Sequence, residues 1–139
     1  MAVTKASAKF IKVSPRKVRQ VLDLIRGRDV AAAEIVLAGL NKKSAYIIGK
    51  VLKSAVANAE NNHSLERENL YISKICADQG PALKRSRAAT MGRANMIKKR
   101  TSHVLLELDL RKDSKVKVKA EVKAKVKAKV KAKAKGGKK

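Results

Sequence analysis

Apolar residues in the first third of the chain recur with helical spacing. Between residues 14 and 27 they follow one another at intervals of three or four, which is the pattern of one buried helical face. These residues are Val18, Val21, Leu22 and Ile25. Ser14 followed by Pro15 is typical of a helix start, and Gly27 is typical of a helix end. The pattern therefore predicts a first helix between these signals.

Two further helices are predicted downstream. Asp29 is placed to cap a short helix over residues 30–38, which Gly39 would end. A longer helix is predicted over residues 42–60, and the polar run 61–64 would break it. Its buried stripe is predicted to be Ala45, Ile48, Leu52, Ala55, Val56 and Ala59.

Three other segments have strand character. Residues 3–13 contain strand-forming residues but alternate imperfectly, and residues 70–77 are rich in them. Residues 103–110 alternate cleanly, with one face predicted to point inward. The inward residues are Val104, Leu106, Leu108 and Leu110, and the opposite face carries Leu105, Glu107 and Asp109. The economical fold is α+β, with three helices packed on a small three-stranded antiparallel sheet.

Charge divides the chain into two parts. The 139 residues include 35 Lys and Arg against 11 Asp and Glu, a net charge of +24. Residues 115–139 hold twelve Lys and one Glu, so they contribute +11 and leave +13 on residues 1–114. We predict a domain over residues 1–114 and a basic, low-complexity Lys/Ala/Val tail over residues 115–139, disordered in isolation, with a helix as the alternative. Both parts indicate a polyanionic partner.

Composition excludes several classes of protein. The longest apolar run is four residues, so no membrane-spanning helix and no signal-peptide core is predicted. Cys76 is the only cysteine, which excludes an internal disulfide and fits a reducing compartment. Three aromatic residues and no Trp argue against platforms that stack several nucleobases. We predict no metal and no cofactor.

A long segment without acidic residues separates the last two predicted strands. Between Asp78 and Glu107 there is no Asp or Glu, and no apolar periodicity. The cations there are Lys84, Arg85, Arg87, Arg93, Lys98, Lys99 and Arg100. The segment could be a floppy surface loop or a protruding β-hairpin. We favour a hairpin over residues 79–102 centred near Ala89 and Thr90, with arms of roughly 33 Å. Such a hairpin has no core and needs phosphate-rich support.

Three segments, taken together, carry a family resemblance. They read SPRKVRQVLDLIRG, NKKSAYIIGKVLKSAVANAENN and GPALKRSRAATMGRANMIKKRTSHV, in this order. The chain thus resembles the universal large-subunit ribosomal protein twenty-two family, in its bacterial or organellar form. The resemblance covers about residues 5–110, and its most specific pieces are GPALKR, GRA and KRTSH at these spacings.

The resemblance implies a structural constituent of the large ribosomal subunit. Such a protein binds large-subunit ribosomal RNA and supports subunit assembly, and its hairpin forms part of the polypeptide exit tunnel wall. The implied partners are this RNA, neighbouring ribosomal proteins and, transiently, the nascent polypeptide. Neither a small-molecule substrate, a membrane nor an enzymatic activity is implied. The implied location is the cytoplasmic ribosome, with an organellar ribosome left open.

Residue roles carry over by position. The implied RNA-binding residues are Arg16, Lys17, Arg19, Lys84, Arg85, Arg87, Arg93, Lys98, Lys99, Arg100, Thr101, Ser102 and His103. The implied tunnel-wall tip consists of Arg87, Ala88, Ala89, Thr90, Met91 and Gly92. Family tips often carry a Pro and another basic residue where this chain has residues 88–91, so this tip is less cationic.

Two other classes compete with the ribosomal interpretation. The Lys-rich tail resembles linker-histone tails in composition, which would suit a DNA-condensing protein. With a hairpin centred near residues 89–90, Cys76 and His103 would lie opposite each other, and a Cys-His dyad can be nucleophilic. We favour instead a half-buried Cys beside a surface His on paired strands, because no orienting group or oxyanion hole accompanies them.

Overall fold

Three helices and five strands occur in residues 3–111, the part of the chain that the computed structural model describes. The elements are β1 (Thr4–Ile11), α1 (Pro15–Ile25), α2 (Val30–Gly39), α3 (Lys43–His63), β2 (Leu70–Gln79), β3 (Leu83–Ala88), β4 (Ala94–Lys99) and β5 (Ser102–Leu110). The described residues as far as Asp109 form one compact unit. Strands β3 and β4 of this unit form a hairpin, and we call the rest of the unit the body. The predicted tail, residues 115–139, lies outside the described residues, so the boundary at residue 114 stays a prediction.

The body contains a three-stranded sheet in the order β1-β5-β2. Strands β1 and β5 pair antiparallel from Thr4 opposite Leu108 to Ala8 opposite Val104. Central strand β5 buries the four residues predicted to face inward, Val104, Leu106, Leu108 and Leu110. This confirms the α+β prediction. Asp109, predicted on the opposite face, is also buried.

The helices pack against this sheet and against one another. Helix α1 contacts β2, α3 contacts β1, and α2 lies on α3. The predicted face of α1 is fully buried, with Val18, Val21, Leu22 and Ile25 at most 1% exposed. Ser14 occupies the N-cap and Gly27 has a φ of +73°, so both predicted boundary signals are confirmed. None of the helices within residues 3–111 is both long and apolar enough to cross a membrane.

The end of α3 differs from the prediction. The helix continues to His63, so the polar run 61–64 does not break it at Glu60. It ends because Ser64 adopts a left-handed conformation with a φ of +51°. The next residue, Leu65, is buried, and its N–H donates to the carbonyl of Ala59. A buried contact after the helix therefore sets its end, and Asn residues are tolerated in the last turn.

Strands β3 and β4 form a separate two-stranded sheet, the hairpin. Every residue in both strands is exposed, so the hairpin has no interior. The register runs without a shift from Leu83 opposite Lys99 to Ala88 opposite Ala94. This confirms a hairpin rather than a floppy loop. The centre is Met91, one to two residues later than predicted, because Met91 and Gly92 take the positive-φ positions of the turn.

Candidate nucleic-acid interface

The cations of the hairpin are exposed and pair with no acidic residue in the part of the chain that the structure describes. All seven basic residues between positions 84 and 100 are exposed, and no Asp or Glu lies in this segment. Ion pairs in the described residues join Lys5 to Glu107 at 3.1 Å, Arg26 to Asp23 at 2.9 Å, and Arg67 to Glu34. These pairs all lie in the body. The positive charge of the hairpin is therefore available to an external anion.

The strand register sorts the hairpin residues onto two faces. Directly opposed residues share a face, and successive residues along a strand alternate between faces. One side, which we call the arginine face, carries Leu83, Arg85, Arg87, Asn95, Ile97 and Lys99. The other, which we call the small-residue face, carries Lys84, Ser86, Ala88, Ala94, Met96 and Lys98. The outer half of the small-residue face is therefore uncharged, whereas the arginine face is cationic over its whole length.

Lys84 and Lys98 are directly opposed near the base of the hairpin. Like charges at opposed positions destabilise a strand pair. A bound phosphate would relieve this repulsion, whereas a solvated hairpin retains it. The pairing thus favours an anion at the base of the small-residue face.

The tip is a five-residue turn, Ala89–Arg93, closed by a hydrogen bond of 2.8 Å from the Ala89 N–H to the Arg93 carbonyl. Met91 stands at its apex, 95% exposed, with a φ of +57°. Arg87 and Ala88, which the resemblance placed at or near the tip, are the last two residues of β3 beside this turn, and Arg93 belongs to the turn. The most prominent side chain of the tip is therefore apolar rather than cationic.

The base of the hairpin is held by Thr101 and Gly80. Thr101 Oγ1 donates to the carbonyl of Pro81 at 2.7 Å, and the Gly80 N–H donates to the carbonyl of Thr101 at 3.0 Å. A Cβ on Gly80 would lie 2.5 Å from Thr101 Oγ1, so only glycine fits this junction. Thr101 is 8% exposed and Ser102 is fully buried. Both hydroxyls therefore face the interior, and the RNA-binding role of these two residues stays a prediction.

The predicted cations of α1 have two different environments. Arg16 and Lys17 are exposed beside the buried face of the helix. The guanidinium of Arg19 donates from Nε and Nη2 to the carbonyl of Ala77, at 3.0 and 2.9 Å. Ala77 lies on β2, an edge strand of the sheet. Arg19 thus covers part of a sheet edge as well as carrying charge.

His103 is turned toward Phe10, which sequence reasoning did not single out. The N–H of Phe10 donates to His103 Nδ1 at 3.0 Å, and the two rings meet edge-on with centroids 4.8 Å apart. This nitrogen is therefore already engaged, which disfavours a general-base role toward the half-buried Cys76. The imperfect alternation of residues 3–13 was the available signal, since it marks the bulge that carries Phe10. Within residues 3–111, no three His, Cys, Asp or Glu side chains are grouped for a metal ion.

The fold is an α+β body with a basic hairpin that has no interior. It defines a class of protein in which the hairpin is suited to bind a polyanion. The family description Ribosomal protein L22p/L17e matches residues 6–109. The chain is 51% identical over 109 residues to the large ribosomal subunit protein uL22 of Halothermothrix orenii, covering 78% of this chain and 96% of that protein.

Two more relatives with the same name give similar figures. The protein of Clostridioides difficile is 53% identical over 100 residues, 72% of this chain and 90% of its own length. That of Thermus thermophilus is 50% identical over 104 residues, 75% of this chain and 92% of its own length. The chain belongs to the ribosomal protein L22p/L17e family, which confirms the resemblance found in its sequence.

Proposed function

We propose that this protein is a structural constituent of the large ribosomal subunit, that it binds large-subunit ribosomal RNA and supports subunit assembly, and that its hairpin forms part of the polypeptide exit tunnel wall. The family assignment supports the ribosomal role, since relatives that match most of the chain are named large ribosomal subunit proteins. The role is structural, not enzymatic. Its partners are the RNA, neighbouring ribosomal proteins and, transiently, the nascent chain.

The observation that carries the RNA-binding proposal is the hairpin itself. A two-stranded ribbon alone is marginally stable in water, and here the opposed Lys84 and Lys98 weaken it further. Seven exposed cations without an acid attract phosphates and release counterions when they bind. Folded RNA can supply these phosphates along the full length of the arm, because RNA is recognised largely through its shape and backbone.

The two faces of the hairpin suit two different surroundings. The arginine face places planar guanidinium groups along one side, and these bind phosphate with two hydrogen bonds each. The outer small-residue face and Met91 are uncharged, which suits a wall that a polypeptide passes without being held. We therefore assign the arginine face to RNA, and the outer small-residue face with Met91 to the tunnel lumen.

The body contributes a second RNA contact. Arg16 and Lys17 are exposed on α1, and Arg19 retains donors that Ala77 does not use. A protein that touches RNA with its body and its hairpin at once fixes the relative positions of both RNA segments, which stabilises the folded RNA by linkage. The proposed location is a cytoplasmic ribosome, with an organellar ribosome as the alternative.

Co-sedimentation tests the ribosomal assignment directly. We expect the full-length protein, expressed with a small tag in a bacterial host, to remain with large ribosomal subunits after a moderate salt wash. A tagged basic protein of similar charge but unrelated fold is the control, and it should be removed by the wash. Recovery of our protein only with chromosomal DNA would instead support a DNA-condensing role and contradict the proposal.

Cross-linking from the tip tests the tunnel-wall assignment. In a Cys76→Ser background, Met91→Cys places one thiol at the apex of the hairpin. We expect a thiol-reactive cross-linker on this residue to capture the nascent polypeptide in stalled ribosomes, because Met91 is 95% exposed. Ser7→Cys, an exposed position in the body, is the matched control and should capture no nascent chain. Equal labelling at both positions, or none at position 91, would contradict a lumen-facing tip.

A further inference from the structure

Phe10 is an exposed aromatic residue in a strained backbone conformation. It has a φ of +57° and is 62% exposed. It lies where the pairing of β1 with β5 shifts register, between Ala8 and Ile11. A positive φ is costly for a bulky residue and persists only where the surroundings enforce it. Hydrophobic burial does not explain this strain, because most of the ring stays in solvent.

His103 holds the ring in this position. Its Nδ1 accepts the hydrogen bond from the Phe10 N–H, and its ring meets the Phe10 ring at 90°. His103 is itself packed closely over Gly80, since a Cβ there would lie 3.1 Å from Nε2. Phe10 is therefore fixed in orientation by a residue anchored at the base of the hairpin.

The charged residues next to Phe10 in the sequence are cations. Lys9 and Lys12 flank it and are both exposed. The first acidic residue of the chain is Asp23, and His103 lies in the acid-free stretch before Glu107. The nearest described carboxylate on β5, that of Glu107, is paired with Lys5. An exposed ring beside two lysines that form no ion pair within residues 3–111 suits a ligand that combines an aromatic face with a negative charge.

The other aromatic residues offer no comparable site. Tyr46 is 67% exposed on α3, but Lys50 Nζ already lies 4.6 Å above its ring centroid. Tyr71 is half-buried in β2. The composition argument against stacking platforms applies to surfaces that hold several bases, and it does not exclude a single ring that holds one.

We propose that Phe10, positioned by His103, is a stacking site for one unpaired nucleobase of RNA, with Lys9 and Lys12 binding the adjoining phosphates. This inference rests on the proposed RNA binding and adds a specific subsite to it. Every base has a π-face that can stack on a phenyl ring, and such contacts contribute about 1–3 kcal/mol per base. In folded RNA, unpaired bases in loops and bulges are the ones available for stacking.

A fluorescent variant tests the site because the chain contains no Trp. Phe10→Trp creates a single-Trp protein, and we expect strong quenching of its emission on titration with protein-free large-subunit ribosomal RNA. The matched control is Tyr46→Trp, an equally exposed position where the emission should not be quenched. A fully paired RNA duplex should leave Phe10→Trp unquenched, because its bases are already stacked.

Affinity measurements with the full chain complete the test. Phe10→Leu should weaken binding to the same RNA about 5- to 150-fold and leave the salt dependence unchanged, because no charge is lost. Phe10→Tyr should bind like the unmodified protein. Urea unfolding of each variant checks that the body remains folded.

The outcomes separate the two proposals. If the unmodified protein does not bind the RNA, the proposed function fails. If it binds but Phe10→Leu binds equally well, only the stacking site is overturned. Equal quenching at positions 10 and 46 would also overturn it, as would quenching of Phe10→Trp by purified ribosomal proteins but not by RNA, which would indicate a protein-docking site.

Discussion

Replacing Arg85, Arg87 and Arg93 together by Gln is expected to weaken binding to large-subunit ribosomal RNA about 10²-fold at ~0.1 M salt. Affinity falls as salt rises, and each phosphate contact contributes about 0.7–0.9 to the steepness of log affinity against log salt. The loss of three contacts should therefore make this slope shallower by about 2–2.7. All three side chains are exposed, and none forms an ion pair within the described residues. The measurement is a salt titration of RNA affinity with excess competitor RNA.

A charge-matched variant provides the control. Replacing Lys123, Lys125 and Lys127 by Gln also removes three positive charges, but from the predicted tail. If net charge alone drove binding, this variant and the arginine variant would lose affinity equally. We expect a much smaller loss in the tail variant, because the residues before the tail keep a charge of +13. Equal losses, or an unchanged slope in the arginine variant, would place the hairpin arginines in solvent.

Helices α1 and α3 were predictable because the apolar residues that recur at helical spacing in the sequence are the ones buried in the structure. The stripe from Ala45 to Ala59 in α3 is fully or almost fully buried, as predicted. Gly27 was a sound stop signal, since its φ of +73° is one that glycine adopts readily. The end of α3 was missed because it depends on Ser64 and on the buried Leu65, which local propensity does not report.

The hairpin was predictable from the lack of acidic residues and of apolar periodicity rather than from a strand-like alternation. A segment without acids and without apolar periodicity cannot belong to a core, and the flanking strands required a connection between them. Its exact centre was missed because Met91 adopts a left-handed conformation, and methionine carries no sequence signal for that. The neighbouring Gly92 was the usable signal, and it lies in the turn.

The candidate site was only partly predictable, because tertiary contacts decide what a polar side chain does. Thr101 and Ser102 follow a run of basic residues, yet Thr101 at the base of the hairpin and Ser102 at the start of β5 are both buried. Arg19 matched a basic helix face, yet its guanidinium binds the Ala77 carbonyl. Phe10 became notable only when the bulge in β1 exposed it beside His103. Sequence identified the charge of the site, and the fold decided which side chains present it.

A pair of leucine variants tests the central contrast between a body with a core and a hairpin without one. Leu106 is fully buried on β5, the central strand of the body sheet. We expect Leu106→Ala to lower the free energy of unfolding by about 3 kcal/mol, because it removes buried methyl groups and leaves a cavity. Leu83 is 57% exposed on β3, so Leu83→Ala should change the free energy of unfolding by less than about 0.5 kcal/mol. Urea denaturation followed by circular dichroism measures both.

The comparison isolates burial because the same side chain is truncated in both variants. If Leu83→Ala destabilised the protein as much as Leu106→Ala, the hairpin would have to pack on the body in solution and could not be an unsupported arm. If only the Leu106→Ala variant is destabilised, the stability of the body comes from its own core. The stability of the hairpin must then come from a bound partner. A hairpin without an interior gains little stability from its own packing, so the proposed RNA contact would be what stabilises its geometry.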